Sequence, residues 1–124
     1  MTPEGWNQIF ANAGALAQVA LGGDGAIRSV APDAVAVAYP AYRSMSYGVG
    51  PRKNTEGAVY LSLQSNWVNL GFYRGTSLVD PERLLEGTGK ALRHVKLTAW
   101  PEEDKALRDL INAAFDERRK AVKA

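Results

Sequence analysis

Apolar residues near the start of the chain, Trp6, Ile9, Phe10, Ala13, Leu16, Ala17 and Ala20, stand three or four apart. That spacing predicts one buried face of a helix. Thr2 and Pro3 suit its N-cap and first helical position, and Gly22-Gly23-Asp24-Gly25 suits its end. Asp24 is placed to cap a short second helix to about Val30, closed by Pro32. From residue 34 the period changes to two. Val35, Val37 and Tyr39 alternate with alanines up to Pro40, and Met45, Tyr47 and Val49 alternate with Ser44, Ser46 and Gly48. In the next two runs Val59, Leu61 and Leu63 share a face, as do Val68, Leu70 and Phe72. Folding them about Ser65-Asn66 sets Leu63 against Val68, Leu61 against Leu70 and Val59 against Phe72, all on one side of the sheet. The other side carries Tyr60, Ser62, Gln64, Trp67, Asn69 and Tyr73, a mixture that suits a pocket, an interface or a partly shielded open face.

Asp80-Pro81-Glu82 predicts a short helix to about Glu86. A last strand from His94 to Ala99 turns Val95, Leu97 and Ala99 inward. Pro101 opens a final helix with an apolar stripe of Leu107, Leu110, Ile111, Ala114, Phe115 and Val122. The order predicts an α+β fold: a two-layer sandwich with a single, mainly antiparallel sheet of about five strands. The N- and C-terminal helices pack on one face of it. No linker, repeat or low-complexity segment divides residues 1–124, so one domain is expected.

Composition narrows the chemistry. The chain has 124 residues, no cysteine and one histidine, which removes thiolate metal sites, cysteine nucleophiles and His-rich metal centres. Residues 5 to 23 carry no charge. The stretch lacks the basic flank of a signal peptide, and Asn7, Gln8, Asn12 and Gln18 interrupt it as a membrane span, so a cytoplasmic protein is expected. The net charge of +2 is unevenly spread. Residues 41–100 hold eight bases (Arg43, Arg52, Lys53, Arg74, Arg83, Lys90, Arg93, Lys96) against four acids (Glu56, Asp80, Glu82, Glu86), while residues 101–124 balance. An excess of this kind suits anion binding. It is too small for a nucleic-acid surface.

Two glycine-and-base segments lie in that basic stretch: Gly48-Val49-Gly50-Pro51-Arg52-Lys53 and Gly87-Thr88-Gly89-Lys90, the latter followed by Arg93-His94. Glycines let backbone N–H groups turn toward an anion, and the adjacent bases supply charge. Neither is a P-loop, because Ala91 follows Lys90 where Ser or Thr is required. If the sheet brings both loops to one end, Lys53, Arg74, Lys90 and Arg93 converge beside Tyr47 and Tyr73. Trp67 and His94 then complete a candidate ligand-binding set. His94 has no partner set for a metal or a triad, and no GxSxG, HExxH or dinucleotide motif occurs. An enzyme is therefore not the expectation, and no cofactor is implied. Glu102, Asp109 and Asp116 recur every seven residues on the last helix with Lys105 between them, the geometry of a solvated, ion-paired face.

Residues 32–95 resemble the YdhG-like family of small bacterial domains. The resemblance lies in Ala31-Pro32-Asp33-Ala34, Ser46-Tyr47-Gly48-Val49-Gly50-Pro51, Thr55-Glu56-Gly57, Trp67-Val68-Asn69-Leu70-Gly71-Phe72-Tyr73 and Leu84 through Val95. It implies a frataxin-like α+β fold and, from one branch, an iron chaperone. Frataxin-type iron binding uses acids on the first helix, and residues 5–23 here have none.

Three functional readings follow. The first is a binding domain for a small anionic ligand, phosphate or carboxylate. The second is a protein–protein interaction domain using the uncharged N-terminal helix or the aromatic sheet face, which leaves a homodimer open. The third is a frataxin-like iron chaperone. No membrane partner is expected.

Overall fold

The computed structural model describes residues 1–123. In chain order the elements are α1 (Trp6–Phe10), α2 (Leu16–Val30), β1 (Val35–Tyr39), β2 (Ser44–Gly48), α3 (Lys53–Glu56), β3 (Gly57–Leu63), β4 (Val68–Phe72), β5 (Arg93–Leu97) and α4 (Lys105–Lys123). The strands form one antiparallel meander in the order β1-β2-β3-β4-β5. Helices α2 and α4 pack on each other and both reach β3, so they share one face of the sheet, and α1 joins them through α2 and β2. Between the layers lies a core that includes Phe10, Ile27, Met45, Leu61, Leu70, Phe72, Ile111 and Phe115. The α+β sandwich read from the sequence is the fold. Among the described residues no helix is long and apolar enough to cross a membrane.

The β3–β4 hairpin has the register that alternation predicts, with Leu63 opposite Val68, Leu61 opposite Leu70 and Val59 opposite Phe72. In β1 the larger residues Val35, Val37 and Tyr39 turn away from the helices. Ala36 and Ala38 face inward, opposite the buried Tyr47 and Met45.

Several boundaries differ from expectation. The first helix is interrupted after Phe10, and Gly22-Gly23-Asp24-Gly25 lies inside α2 instead of ending it. Glycine inside a helix costs roughly 1 kcal/mol relative to alanine. Here the cost is offset by close packing: a Cβ on Gly22 would stand 2.6 Å from Trp100 Cβ, and one on Gly23 would stand 2.7 Å from a Leu61 methyl. Asp24, expected as a cap, is buried; its carboxylate accepts the Tyr47 hydroxyl at 2.7 Å and Arg28 Nε at 2.9 Å. Residues 80–86 form turns instead of a helix, because the Asp80 carboxylate takes the N–H groups of Leu84 and Leu85, both at 2.9 Å. Strand β5 runs Arg93–Leu97, leaving Ala99 outside it and exposed. Helix α4 begins at Lys105, after a corner in which Trp100 Nε1 and Arg108 Nε both donate to Asp104. These contacts hold the Asp104 carboxyl below its usual range, with Arg108 the main cause. Val122 is exposed, off the stripe.

Candidate functional site: a tyrosine-walled hollow on the open sheet face

The sheet face without helices is built in rows by the strand register. One row runs Tyr39, Ser44, Ser62, Asn69, Lys96, and the next runs Val37, Ser46, Tyr60, Gly71, His94. Ser46 and Ser62 are buried on this face. Tyr60 lies over Gly71, which stands opposite it in β4 and leaves no space for a Cβ. An aromatic ring covering a strand glycine shields backbone that would otherwise be wet. The Tyr60 and Tyr73 rings follow at 5.0 Å between centroids.

Tyr39, Tyr42, Tyr60 and Tyr73 surround an open hollow of about 290 Å³, with Ser44, Ser62 and Leu92 completing the wall. Lys53 reaches into it from the first position of α3. Its Nζ stands 4.9 Å from the Tyr39 ring centroid and 5.4 Å from that of Tyr42. These are cation–π distances. A second hollow adjoins, lined by Lys53, Asn54, Tyr73, Arg74, Ala91 and Leu92. Helix α3 is short and would not hold its place alone. Arg74 Nη2 donates to the Asn54 carbonyl at 2.9 Å, and Arg118 Nη1 from α4 donates to the Thr55 carbonyl at 2.7 Å. Two guanidinium groups thus pin the turn that carries Lys53.

Burial pushes the Tyr60 phenol up and takes that of Tyr73 to about 12, the latter against a smaller opposing pull from its hydrogen bond with Ser46. Both phenols are therefore protonated donors at neutral pH. For Tyr73 the folded pKa lies above the unfolded value of 10.0, so its contribution to stability is complete below pH 10 and is lost as the pH rises toward about 12. We expect the phenolate absorbance difference between the wild type and Tyr73→Phe to show a midpoint near 12. A midpoint at the free-tyrosine value would contradict this burial.

Ion pairs separate the two layers of the molecule. Every one among the described residues joins groups at positions 24–33 or 104–119, on or beside α2 and α4. Among those residues, none of the eight bases between positions 41 and 100 forms an ion pair with a carboxylate. Of these bases, Lys53 and Arg74 line hollows at the open face and Lys96 lies over Trp67 on it. The expected pair on α4 is present and exposed, Lys105 Nζ to Asp109 at 2.8 Å.

The expected site residues divide. Lys53, Tyr73 and Arg74 meet at the two adjoining hollows. Lys90 is exposed, and its backbone carbonyl accepts the Thr76 hydroxyl. Arg93 turns its guanidinium onto the carbonyls of Gly89 and Leu92, and the second glycine segment, Gly87 to Lys90, lines neither hollow; only Ala91 and Leu92, which follow it, do. His94 and Trp67 belong to the open face but stand outside the hollow. His94 bridges Glu86 through its backbone, while the Trp67 indole donates to Asn69 at 2.7 Å with Lys96 Nζ 4.7 Å from its ring. Tyr47 is on the opposite face, fully buried against Asp24.

The first glycine segment already holds an anion of its own. The Arg52 N–H donates to the Glu56 carboxylate at 2.9 Å, and that carboxylate fills the space a Cβ on Gly50 would need.

Sequence reasoning missed Tyr39, Tyr42, Ser44 and Leu92 as site residues. Tyr39 could have been found by extending the hairpin register outward by two strands; Tyr42, in the 3-10 turn Pro40–Tyr42, carries no periodic signal. Among the described residues no three His, Asp or Glu side chains gather closely enough to hold a metal ion. No family model, curated protein or solved structure matches this chain.

Proposed function

We propose that the chain is a binding domain for a small organic anion. The ligand's carboxylate or phosphate sits against Lys53 and its flat apolar part lies between the tyrosines. The observation that carries this reading is Lys53 itself: an ammonium held at the rings of Tyr39 and Tyr42, over an open hollow, with no carboxylate in ion-pair range among the described residues. Tyrosine hydroxyls at the wall add neutral donors, and Arg74 offers a second cation in the adjoining hollow. Enclosure by rings favours a ligand with an aromatic or planar body over bare phosphate. The kinship with YdhG-like domains and a cytoplasmic setting belong to the same proposal, and both rest on the sequence alone.

The test is calorimetric titration with phenyl phosphate, benzoate and inorganic phosphate. The aromatic anions should bind more tightly than inorganic phosphate. Lys53→Ala should weaken them roughly 10- to 100-fold, the range for losing one charge-assisted hydrogen bond. Absence of heat with all three, or equal affinity in wild type and variant, overturns the reading. Of the other two functions, iron uptake gains nothing from this arrangement, because Lys53 and Arg74 repel a cation.

A further inference from the structure

We infer that the free edge of β1 pairs antiparallel with β1 of a second copy of this chain, joining two sheets into one of ten strands. The two edges of the sheet are treated differently. β5 carries Arg93 and Lys96 and is bridged at His94 by Glu86, devices that discourage further pairing. β1 reads Val-Ala-Val-Ala-Tyr with no charge, no proline and no covering strand.

The hydrogen-bond phase shows which backbone groups are free. The Leu63 N–H donates to the Arg43 carbonyl at 2.9 Å, so residues 43, 45 and 47 turn their polar groups toward β3, and 44, 46 and 48 toward β1. In β1, residues 35, 37 and 39 are therefore bonded to β2, and the N–H and C=O groups of Ala36 and Ala38 point to the open edge. A two-fold axis at Val37 sets Ala36 opposite Ala38 of the other copy, and Ala38 opposite its Ala36. All four donors and acceptors on each side are then paired. Pro40, which has no N–H, ends the ladder at one side; the Ala34 N–H is already committed to the Ala31 carbonyl at the other.

The occupant must be an extended strand, since only that offers donors and acceptors in this phase. Two features select a copy of this chain running antiparallel. Val35 meets Tyr39 across the seam, and Val37 meets itself, so large side chains continue the outer face while the alanines continue the inner one. At the ends, Asp33, whose partner within its own copy is Arg119 at 3.8 Å, comes to the side of the other copy's turn Pro40–Tyr42, which leads to Arg43, a base with no ion pair among the described residues. Parallel pairing would set Asp33 against Asp33 and Arg43 against Arg43. An open hollow of about 550 Å³ bounded by Glu4, Gly5, Gln8 and β1 leaves room along the edge. The axis is perpendicular to the sheet, so the two tyrosine-walled hollows come to lie on the same face.

Sedimentation equilibrium of the intact chain tests this, and its outcome is independent of any ligand. The wild type should sediment at twice the 13.4 kDa of one chain. Val37→Lys and Val37→Glu, on a half-exposed outward position, should each be monomeric at concentrations where the wild type is dimeric, and an equal mixture of the two should regain the dimer. Ala36→Pro, which removes an edge N–H and no bond to β2, should also be monomeric. A monomeric wild type at every concentration, or a Val37→Lys variant that dimerises like the wild type, overturns the inference.

Discussion

Replacing Asp24 by alanine should lower stability by about 3 kcal/mol, which for a domain of this size moves the melting temperature down by roughly 10 °C. Little of that loss comes from the Arg28 pair. The Arg28 side chain is 44% exposed and turns into water when its partner goes. The cost falls on Tyr47, whose hydroxyl donates to Asp24 at 2.7 Å in a site with no exposure at all. Without the carboxylate the hydroxyl is a buried donor with no acceptor, and a hole opens between α2 and β2. Burial, with Asp24 beside it, also pushes the Tyr47 phenol far up, so the group stays a donor at any ordinary pH. Because the two penalties share one cause, the double variant Asp24→Ala, Tyr47→Phe should be more stable than the sum of the single losses by about 1–2 kcal/mol. Urea unfolding of the four proteins measures this. Strict additivity would show that Asp24 acts through something other than Tyr47.

The second large effect is expected at Gly48. Its position opposite Gly57, where the β2–β3 register shifts, leaves no room for a side chain. A Cβ there would overlap the Glu56 carbonyl oxygen and stand 2.8 Å from both the Glu56 carbonyl carbon and the Gly57 Cα. These are backbone atoms and cannot rotate aside, and the same carbonyl accepts the Val49 N–H at 3.0 Å. Gly48→Ala should therefore cost about 2–4 kcal/mol by forcing β2 and α3 apart. Since α3 carries Lys53, any response to aromatic anions should fall with it. Gly89, where nothing lies within 4 Å of the point a Cβ would occupy, serves as the control: alanine there should change stability by no more than about 0.5 kcal/mol. If the two alanine variants melt alike, close backbone approach is not what requires glycine at position 48.

The contrast between these glycines bears on what a sequence can say about a loop. Gly48 and Gly50 look like an anion cradle, yet one is needed for backbone approach and the other faces the Glu56 carboxylate. The same residue types serve both purposes, and only neighbours distant in space distinguish them. Gly22 and Gly23 make the same point inside α2. Local propensity says the helix should stop, and contacts with Trp100 and Leu61 carry it on to Val30.

Elements with a buried stripe were legible because burial imposes a period. The β3–β4 register follows from alternation alone, and the buried face of α4 follows from spacings of three and four. Residues 78–92 have no such period, and scattered bonds hold them: Asp80 grips two N–H groups, Glu86 bridges His94, and Thr76 and Arg93 donate to the carbonyls of Lys90, Gly89 and Leu92. Lys53, Tyr73 and Arg74 were recognisable as candidates from charge and aromaticity in the middle segment. The reach of Lys53 to Tyr39 and Tyr42 was not, since it depends on register carried across three strands and on a turn held by Arg74 and Arg118.

From the order of residues alone came the two-layer α+β architecture, the strand faces of the hairpin and the basic surplus of the middle segment, because periodicity and charge are properties of neighbours along the chain. The tertiary structure decided that Tyr47 serves the core, that Arg93 bonds to its own loop, and that four tyrosines from separate elements close around one lysine. Each of those outcomes depends on which distant groups meet after the sheet has twisted and the helices have docked, and no local pattern encodes such meetings.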